Sequence, residues 1–429
     1  MENDQDSSHH ILNALNNDCI GEILDRLNSV IDLLNASKVC QRFQQCAGDC
    51  FRSKYSMVRI NSDVEPFGKM PHVQMQRVLA AFGHLISSIG WAAYRDRQRD
   101  DEIFQSIVRY CRKTLKCLEV SKYDFTLNEQ HNFEALENLG IYMSQIRIVS
   151  LDVPLKILHV NYYMELDENP WFLRAFPHLE ELYFDSVYAL SDDMLTELFS
   201  LNPQLQRLEI INCMGMTSNL FISIGRYVQN LRYLRIRTLR LHENSEDKTH
   251  HKNIIAPFGH LRNLKNLILE ENSELSFEVP FEIAAENSLP IETLEFTAMP
   301  PKNSDVIVPT LQTLKHLHLY YGNISIDMLK KFIKNHIALE KIILEFHLNA
   351  TETIKSATKY LSFIKRENYD NKLFELKYSM FDGKIEAHEF YTILKLAENR
   401  ANVTIKIHKG QICVPKDVRR ANQKWLNIL

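Results

Sequence analysis

The chain has 429 residues, 45% of them hydrophobic and 24% charged, a composition that folds and excludes wholesale disorder. Its 50 basic residues against 54 acidic ones leave a formal charge of −4, so no global basic excess drives nonspecific nucleic-acid binding. Only 12 Gly and 13 Pro exclude collagen-like and linker-like chains, and no run of about 18 apolar residues is available to span a membrane.

Residues 1–10 are polar and acidic, without the basic start and apolar core of a secretory signal, and are expected to be disordered. The eight cysteines therefore read as reduced, mostly buried thiols in cytoplasm or nucleus. Residues 11–55 form a separate segment. Ile20, Ile23, Leu24 and Leu27 share one helix face, with Asn17 or Asp18 as its cap. Asp32 caps a second helix carrying Leu33, Ala36, Val39, Cys40 and Phe43, and a third covers Cys46 to Tyr55. Cys46 and Cys50, one turn apart, read as packing residues. A segment of about 45 residues is too short for a well-buried core, yet it carries Leu12, Leu15, Ile20, Leu27, Leu33 and Leu34; the next elements or another chain must cover part of it.

Degenerate strands are predicted at Met57 to Ile60 and Leu85 to Trp91, with a helix over Pro71 to Ala81 between them. The basic stretch Arg95 to Lys113 is diluted by acids and reads as a solvated helix face. From there a pattern L-x-x-L-x-L recurs: Leu115-Leu118-Val120, Leu155-Leu158-Val160, Leu179-Leu182-Phe184, Leu205-Leu208-Ile210, Leu231-Leu234-Ile236 and Leu264-Leu267-Leu269. Ile291-Leu294-Phe296, Leu314-Leu317-Leu319, Leu339-Ile342-Leu344 and Leu373-Leu376-Tyr378 continue it. From Leu155 the starts are 24, 26, 26, 33, 27, 23, 25 and 34 residues apart, mostly within the leucine-rich-repeat window. His242 to Asn253 reads as a surface loop that lengthens one step, and Ile146 to Val153 lies too close to Leu155 for a full repeat. Between strands come amphipathic helices. Leu190, Met194, Leu195, Leu198 and Phe199 match Ile324, Met328, Leu329, Phe332 and Ile333, each helix capped by a serine, Ser191 or Ser325. Val403 to Ile407 is the last strand; residues 56–415 form the array and 416–429 a terminal cap.

One strand and one helix cannot bury their own apolar faces, but stacked copies can. The predicted fold is therefore α/β: three N-terminal helices, then a curved solenoid with parallel strands on the concave side and helices outside. Strand alternation puts Tyr183, Asp185, Arg207, Glu209, Tyr233, Arg235, Arg237, Glu270, His316, His318, Tyr320, Lys341 and Glu345 on the face opposite the leucines. Large side chains with polar handles favour protein contact, and Tyr183, Arg207, Tyr233, Arg235, Arg237, His316, His318 and Tyr320 are the candidate substrate-binding residues.

No sequence feature announces an enzyme or a cofactor. Phosphate-cradling glycine motifs, G-x-S-x-G and H-E-x-x-H are missing. The stretch Tyr378 to Glu389 resembles half a calcium loop but offers too few oxygens, and His316 and His318 lack further ligands at metal spacing. No catalytic, cofactor or metal residue is expected.

The segment LNNDCIGEILDRLNSVIDLLNASKVCQRFQQCA resembles an F-box, whose pattern is matched by Leu15, Asp18, Ile20, Ile23, Leu24, Leu27, Asp32, Leu33, Val39, Cys40 and Phe43. Asn16 stands where that family has Pro, and Phe43 where Trp is commoner. With the repeats behind it, the chain is similar to the F-box/leucine-rich-repeat family. The resemblance implies a non-catalytic substrate receptor of an SCF-type cullin-RING ubiquitin ligase. A Skp-family adaptor would dock at Leu15, Asn16, Ile20, Ile23, Leu24, Leu27, Leu33 and Leu34, and the repeats would hold a protein substrate, with no nucleic acid or membrane partner. The alternative is a repeat scaffold that recruits no ligase, its helical head packed only on its own array.

Overall fold

A computed structural model describes residues 15–61, 67, 70–94, 96–127, 133–143, 146–148, 153–161, 170–188, 190–213, 216–237, 248–270, 275–299, 308–320, 324–367, 369, 371–380, 384–385, 403–408, 411–412 and 426–428. The expected disorder of residues 1–10, Leu12, His242, the calcium-like positions Asp382, Gly383 and Glu389, and most of the cap over 416–429 lie outside them. The chain packs as two compact units, Met1–Val187 and Tyr188–Leu429. Among the described residues, no helix is long and apolar enough to cross a membrane.

The first unit opens with three helices, α1 (Asn17–Asp25), α2 (Val30–Ala36) and α3 (Gln41–Lys54). The caps differ from those predicted. Asn16 accepts from the Cys19 amide at 2.8 Å and Ser29 from the Asp32 amide, so the caps lie ahead of Asn17 or Asp18 and of Asp32, the residues expected to supply them. Asp18 and Asp32 instead occupy first turns, where a carboxylate favours the helix dipole. Ile20, Leu24, Val30, Leu33, Leu34, Cys46, Ala47, Cys50 and Phe51 are buried. Phe51 stacks on Phe82 at 4.5 Å and ties this head to α4 (His72–Phe82).

Strands β1 (Met57–Ile60), β2 (Ser88–Ala92), β3 (Cys117–Ser121), β5 (Asn138–Tyr142), β7 (Ile157–Asn161) and β8 (Glu181–Asp185) pair in parallel, in that order. Helix α5 (Arg97–Cys111) precedes β3, and β4 (Phe125–Leu127) pairs only with β6 (Ile146–Ile148). The segment around Ile146 is thus a side ladder. The rung between Leu118 and Leu158 is Leu139, with Leu136 and Ile141 completing a further repeat beyond those predicted.

The second unit repeats the scheme. Parallel strands follow in the order β9 (Arg207–Ile211), β10 (Tyr233–Arg237), β11 (Asn266–Glu270), β13 (Thr293–Met299) and β14 (His316–Tyr320). The ladder continues with β15 (Lys341–Leu348), β16 (Leu373–Met380), β18 (Val403–His408) and β20 (Leu426–Ile428). Two short strands stand aside: β12 (Leu275–Ser276) on β13, and β17 (Lys384–Ile385) with β19 (Gln411–Ile412). Helices α6 (Asp192–Leu201), α7 (Asn219–Tyr227), α8 (Lys248–Ile255), α9 (Val279–Glu286), α10 (Ile326–Asn335) and α11 (Ala350–Glu367) fall between strands. Ser191 and Ser325 cap α6 and α10 as expected, accepting from the Met194 and Met328 amides at 3.3 and 3.1 Å. The loop expected through Asn253 is helical from Lys248, because Ile254 and Ile255 are buried on the core side of α8. Where α7 meets the 3-10 turn Ala256–His260, only glycine fits: a Cβ on Gly225 would lie 2.3 Å from the Pro257 carbonyl oxygen.

The array is a solenoid-like parallel α/β stack, held in register by three repeated devices. Buried residues align rung on rung, Leu208, Leu234, Leu267, Leu294, Leu317 and Ile342 in the second unit. At most strand entries two successive amides converge on one carbonyl of the preceding rung, as Glu292 and Thr293 do on Lys265, and Lys315 and His316 on Glu292. In two runs, Lys116 to Glu180 and Lys265 to Glu340, the side chains at that entry position alternate in charge. Glu292 pairs with Lys265 and Lys315, both at 2.8 Å, and these hydrogen bonds hold its carboxyl at about 2. In the first unit Glu137 lies 3.9 Å from Lys116 and 3.1 Å from Lys156. Strand exits are marked too: Asn61, Lys122, Met143, Ser186 and Asn212 follow β1, β3, β5, β8 and β9 with positive φ.

One repeat is framed differently from its sequence pattern. Phe374, not Leu376, pairs with Ile342, so the rung core is Phe374 and Leu376, and Leu373 faces outward opposite Lys341. Phe374 is 2% exposed and Leu373 54%. Phe374→Ala should cost about 3–5 kcal/mol in urea unfolding, and Leu373→Ala within about 0.5 kcal/mol. The reverse ranking would restore the frame read from the sequence.

Candidate functional site

Two surfaces carry the predicted residues. On the head, Ile20, Leu24, Leu33 and Leu34 fill its own core, while Leu15 and Leu27 are half-buried and Asn16 is exposed. Ile23 and Val39 stand out at 52% and 57% exposure, Ile23 on α1 beside the buried Ile20 and Leu24, and Val39 in the turn between α2 and α3. The helices are clamped by Arg42, which reaches the Asn17 side chain at 3.0 Å and the Leu15 carbonyl at 2.6 Å. The thiols of Cys46 and Cys50 lie against the Asn17 and Gly21 carbonyls, so both cysteines pack α3 on α1. Among the described cysteines, Cys46, Cys50, Cys111 and Cys213 are buried and Cys117 is half-buried, in line with the expectation of mostly buried thiols, while Cys19 and Cys40 are exposed.

The second surface is the open face of the second unit. Tyr183 does not belong to it. That residue lies in the first unit, its ring 5.5 Å from His159 and its hydroxyl donating to Glu181. The register sets the other candidates in three rows. Arg207, Tyr233, Asn266, Thr293, His316 and Lys341 line the first; Glu209, Arg235, Ile268, Glu295, His318, Ile343 and Glu375 the second. Arg237, Glu270, Thr297, Tyr320, Glu345, Lys377 and Lys406 form the third.

These side chains join in a connected network. Arg207 caps the Tyr233 ring at 3.6 Å and donates to Glu209. Arg235 bridges Glu209 at 3.6 Å and Glu270 at 2.8 Å, and Arg237 approaches Glu270 at 3.6 Å. The Tyr320 hydroxyl lies 3.0 Å from Glu270 and 3.2 Å from Glu295. His318 then spans Glu295 at 3.1 Å and Glu345 at 3.3 Å, and Lys377 follows at 3.8 Å from Glu345. Beside it, Lys341 and Lys406 share Glu375 at 3.3 and 2.6 Å. His318 is 5% exposed and fixed on both ring nitrogens, so it braces the face. His316 remains the accessible histidine, 3.9 Å from Glu340. Glu295, Glu375, Lys377 and Lys406 were not among the predicted residues, although strand alternation points each of them to this face.

Two opposed effects set the charge of His318. Burial lowers its pKa and Lys377 opposes protonation, but the bonds to Glu295 and Glu345 outweigh both and the net shift from 6.5 is upward. Burial likewise pushes the Glu295 carboxyl up, and hydrogen bonds from His318 and Tyr320 bring it below 4.5. Arg235 follows the same logic: burial disfavours its charge, and Glu270 and Glu209 more than restore it. Among the described residues, no group of three or more His, Cys, Asp or Glu is placed to hold a metal ion. Comparison with protein-family models and with curated proteins finds no match to this chain.

The signs of these shifts give a pH dependence. A raised histidine stabilises the fold fully below its unfolded value of about 6.5 and stops doing so as pH climbs through the folded pKa. A depressed carboxylate stabilises above its unfolded value of about 4.3 and ceases to as pH falls through the folded pKa. His318→Gln should therefore lower the urea midpoint most between about pH 5 and 6.5, with the gap to wild type narrowing at higher pH. A gap constant from about pH 5 to 9 would mean that folding leaves the His318 pKa unshifted, and a gap that widens as pH rises would mean that His318 is held neutral.

Proposed function

We propose that the chain is a non-catalytic substrate receptor of the F-box/leucine-rich-repeat type. Its three-helix head docks on a Skp-family adaptor and thereby on a cullin-RING ubiquitin ligase. Its repeat array holds a protein substrate for ubiquitination by the other subunits, and proteasomal degradation follows. The observation that supports this most is the incomplete closure of the head. Ile20, Leu24, Leu33 and Leu34 are satisfied internally, while Ile23 and Val39 stay in water at an energetic disadvantage that a partner removes. Asn16, at the position of the usual Pro, caps α1 and so fixes the exposed end of the proposed contact.

The burial pattern selects the test. Leu24 is in the core, so charging it would damage the head; Ile23 is the informative position. Ile23→Asp should leave thermal unfolding within about 0.5 kcal/mol of wild type. Loss of about 1.5–3 kcal/mol of apolar burial should weaken capture of the adaptor by about tenfold or more in co-purification. Undiminished capture by the folded variant argues against this docking face. If wild-type chain captures no adaptor, the scaffold reading takes its place.

A further inference from the structure

The open face of the second unit is layered by charge. Among its described side chains, Glu209, Glu270, Glu295, Glu345 and Glu375 are 8–23% exposed. Arg207, Arg235, Arg237, Lys341, Lys377 and Lys406 are 22–38% exposed. The carboxylates thus form a floor and the cations cover it. Six cations stand over five carboxylates, and the buried His318 imidazole sits between two of the five. An incoming molecule meets the cationic layer first, although the patch as a whole is close to neutral.

We infer that this face takes an extended peptide segment rich in Asp and Glu, which specifies the substrate class of the proposed receptor and rests on that reading. Carboxylates spaced along a peptide can each approach an arginine or lysine already oriented from below. Orientation beforehand lowers the ordering cost of the contact. A nucleic acid fits less well. Its phosphates come one per about 3.4 Å of strand, and the floor of five glutamates repels such a dense polyanion where a small positive excess cannot offset it. The span also suits a peptide: seven steps from β9 to β18 at about 4.8 Å cover about 34 Å, the reach of about ten extended residues.

The test uses the full-length chain and fluorescence anisotropy with three labelled probes: a Glu-Ser repeat peptide of about ten residues, its Lys-Ser counterpart, and a single-stranded oligodeoxythymidine of similar length. The Glu-Ser peptide should bind at least about tenfold more tightly than either of the others, and more weakly as salt rises. Arg235→Gln combined with Lys341→Gln should weaken it by about tenfold, because the pair removes two cations of the upper layer. Each carboxylate they touch keeps another cation: Glu209 has Arg207, Glu270 has Arg237, and Glu375 has Lys406. The double variant should therefore keep its urea midpoint, which separates lost binding from lost folding. Equal binding of the lysine peptide, tighter binding of the oligonucleotide, no binding of the Glu-Ser peptide, or undiminished binding by the folded double variant would each overturn the inference. Adaptor capture measured on the same preparations tests the receptor reading separately, since it depends on Ile23 and not on this face.

Discussion

Strand register is the constraint on which the rest depends. A parallel strand slipped by one residue would turn Leu234 and Ile236 outward and Arg235 inward. Because Leu208, Leu234, Leu267 and Leu294 share one row, the intervening side chains fall into rows as well. Apolar burial on one side thereby dictates electrostatics on the other. Paired entry amides and the lysine–glutamate alternation beside them reinforce the same alignment from the backbone and from solvent.

That coupling explains why a surface so rich in ions can exist in a chain of nearly balanced charge. Individual exposed pairs contribute little, and burying a lone carboxylate is costly. Here Glu270 meets Arg235, Arg237 and Tyr320 together, and Glu375 meets Lys341 and Lys406, so each partly desolvated anion is compensated from several strands. The head is built differently. It spends its aliphatic residues on an internal core and on the Phe51–Phe82 stack, leaving Ile23 and Val39 outside.

Much of the ladder was legible in the sequence, since L-x-x-L-x-L encodes both the strand and its buried side. The misses have local causes. Leu139 is obscured in the sequence by the apolar run Ile146 to Val153 nearby, whose first three residues form β6 in a side ladder. Leu373 misled the frame because it is a leucine at the right distance from Leu376, although Phe374 occupies the core. Alternation correctly named residues on the open face, but not their pairing. His318 looked like an accessible binding residue, and only the neighbouring strands, each more than 20 residues away in sequence, supply the two glutamates that enclose it. At the head, helical periodicity grouped Ile20, Ile23 and Leu24 on one stripe without telling which of them would remain outside.

The lysine–glutamate alternation at the strand entries gives the stretch from Lys265 to Glu340 a parity. Lys265, Glu292 and Lys315 sit on successive rungs, and Glu340 follows Lys315 at the same position. Excising the single unit that carries Glu292 would set Lys265 against Lys315, whereas excising two adjoining units would restore opposite signs. Gain or loss of material in this stretch is therefore easier in even steps, a bias that the leucine rungs, indifferent to which neighbour they stack on, would never impose.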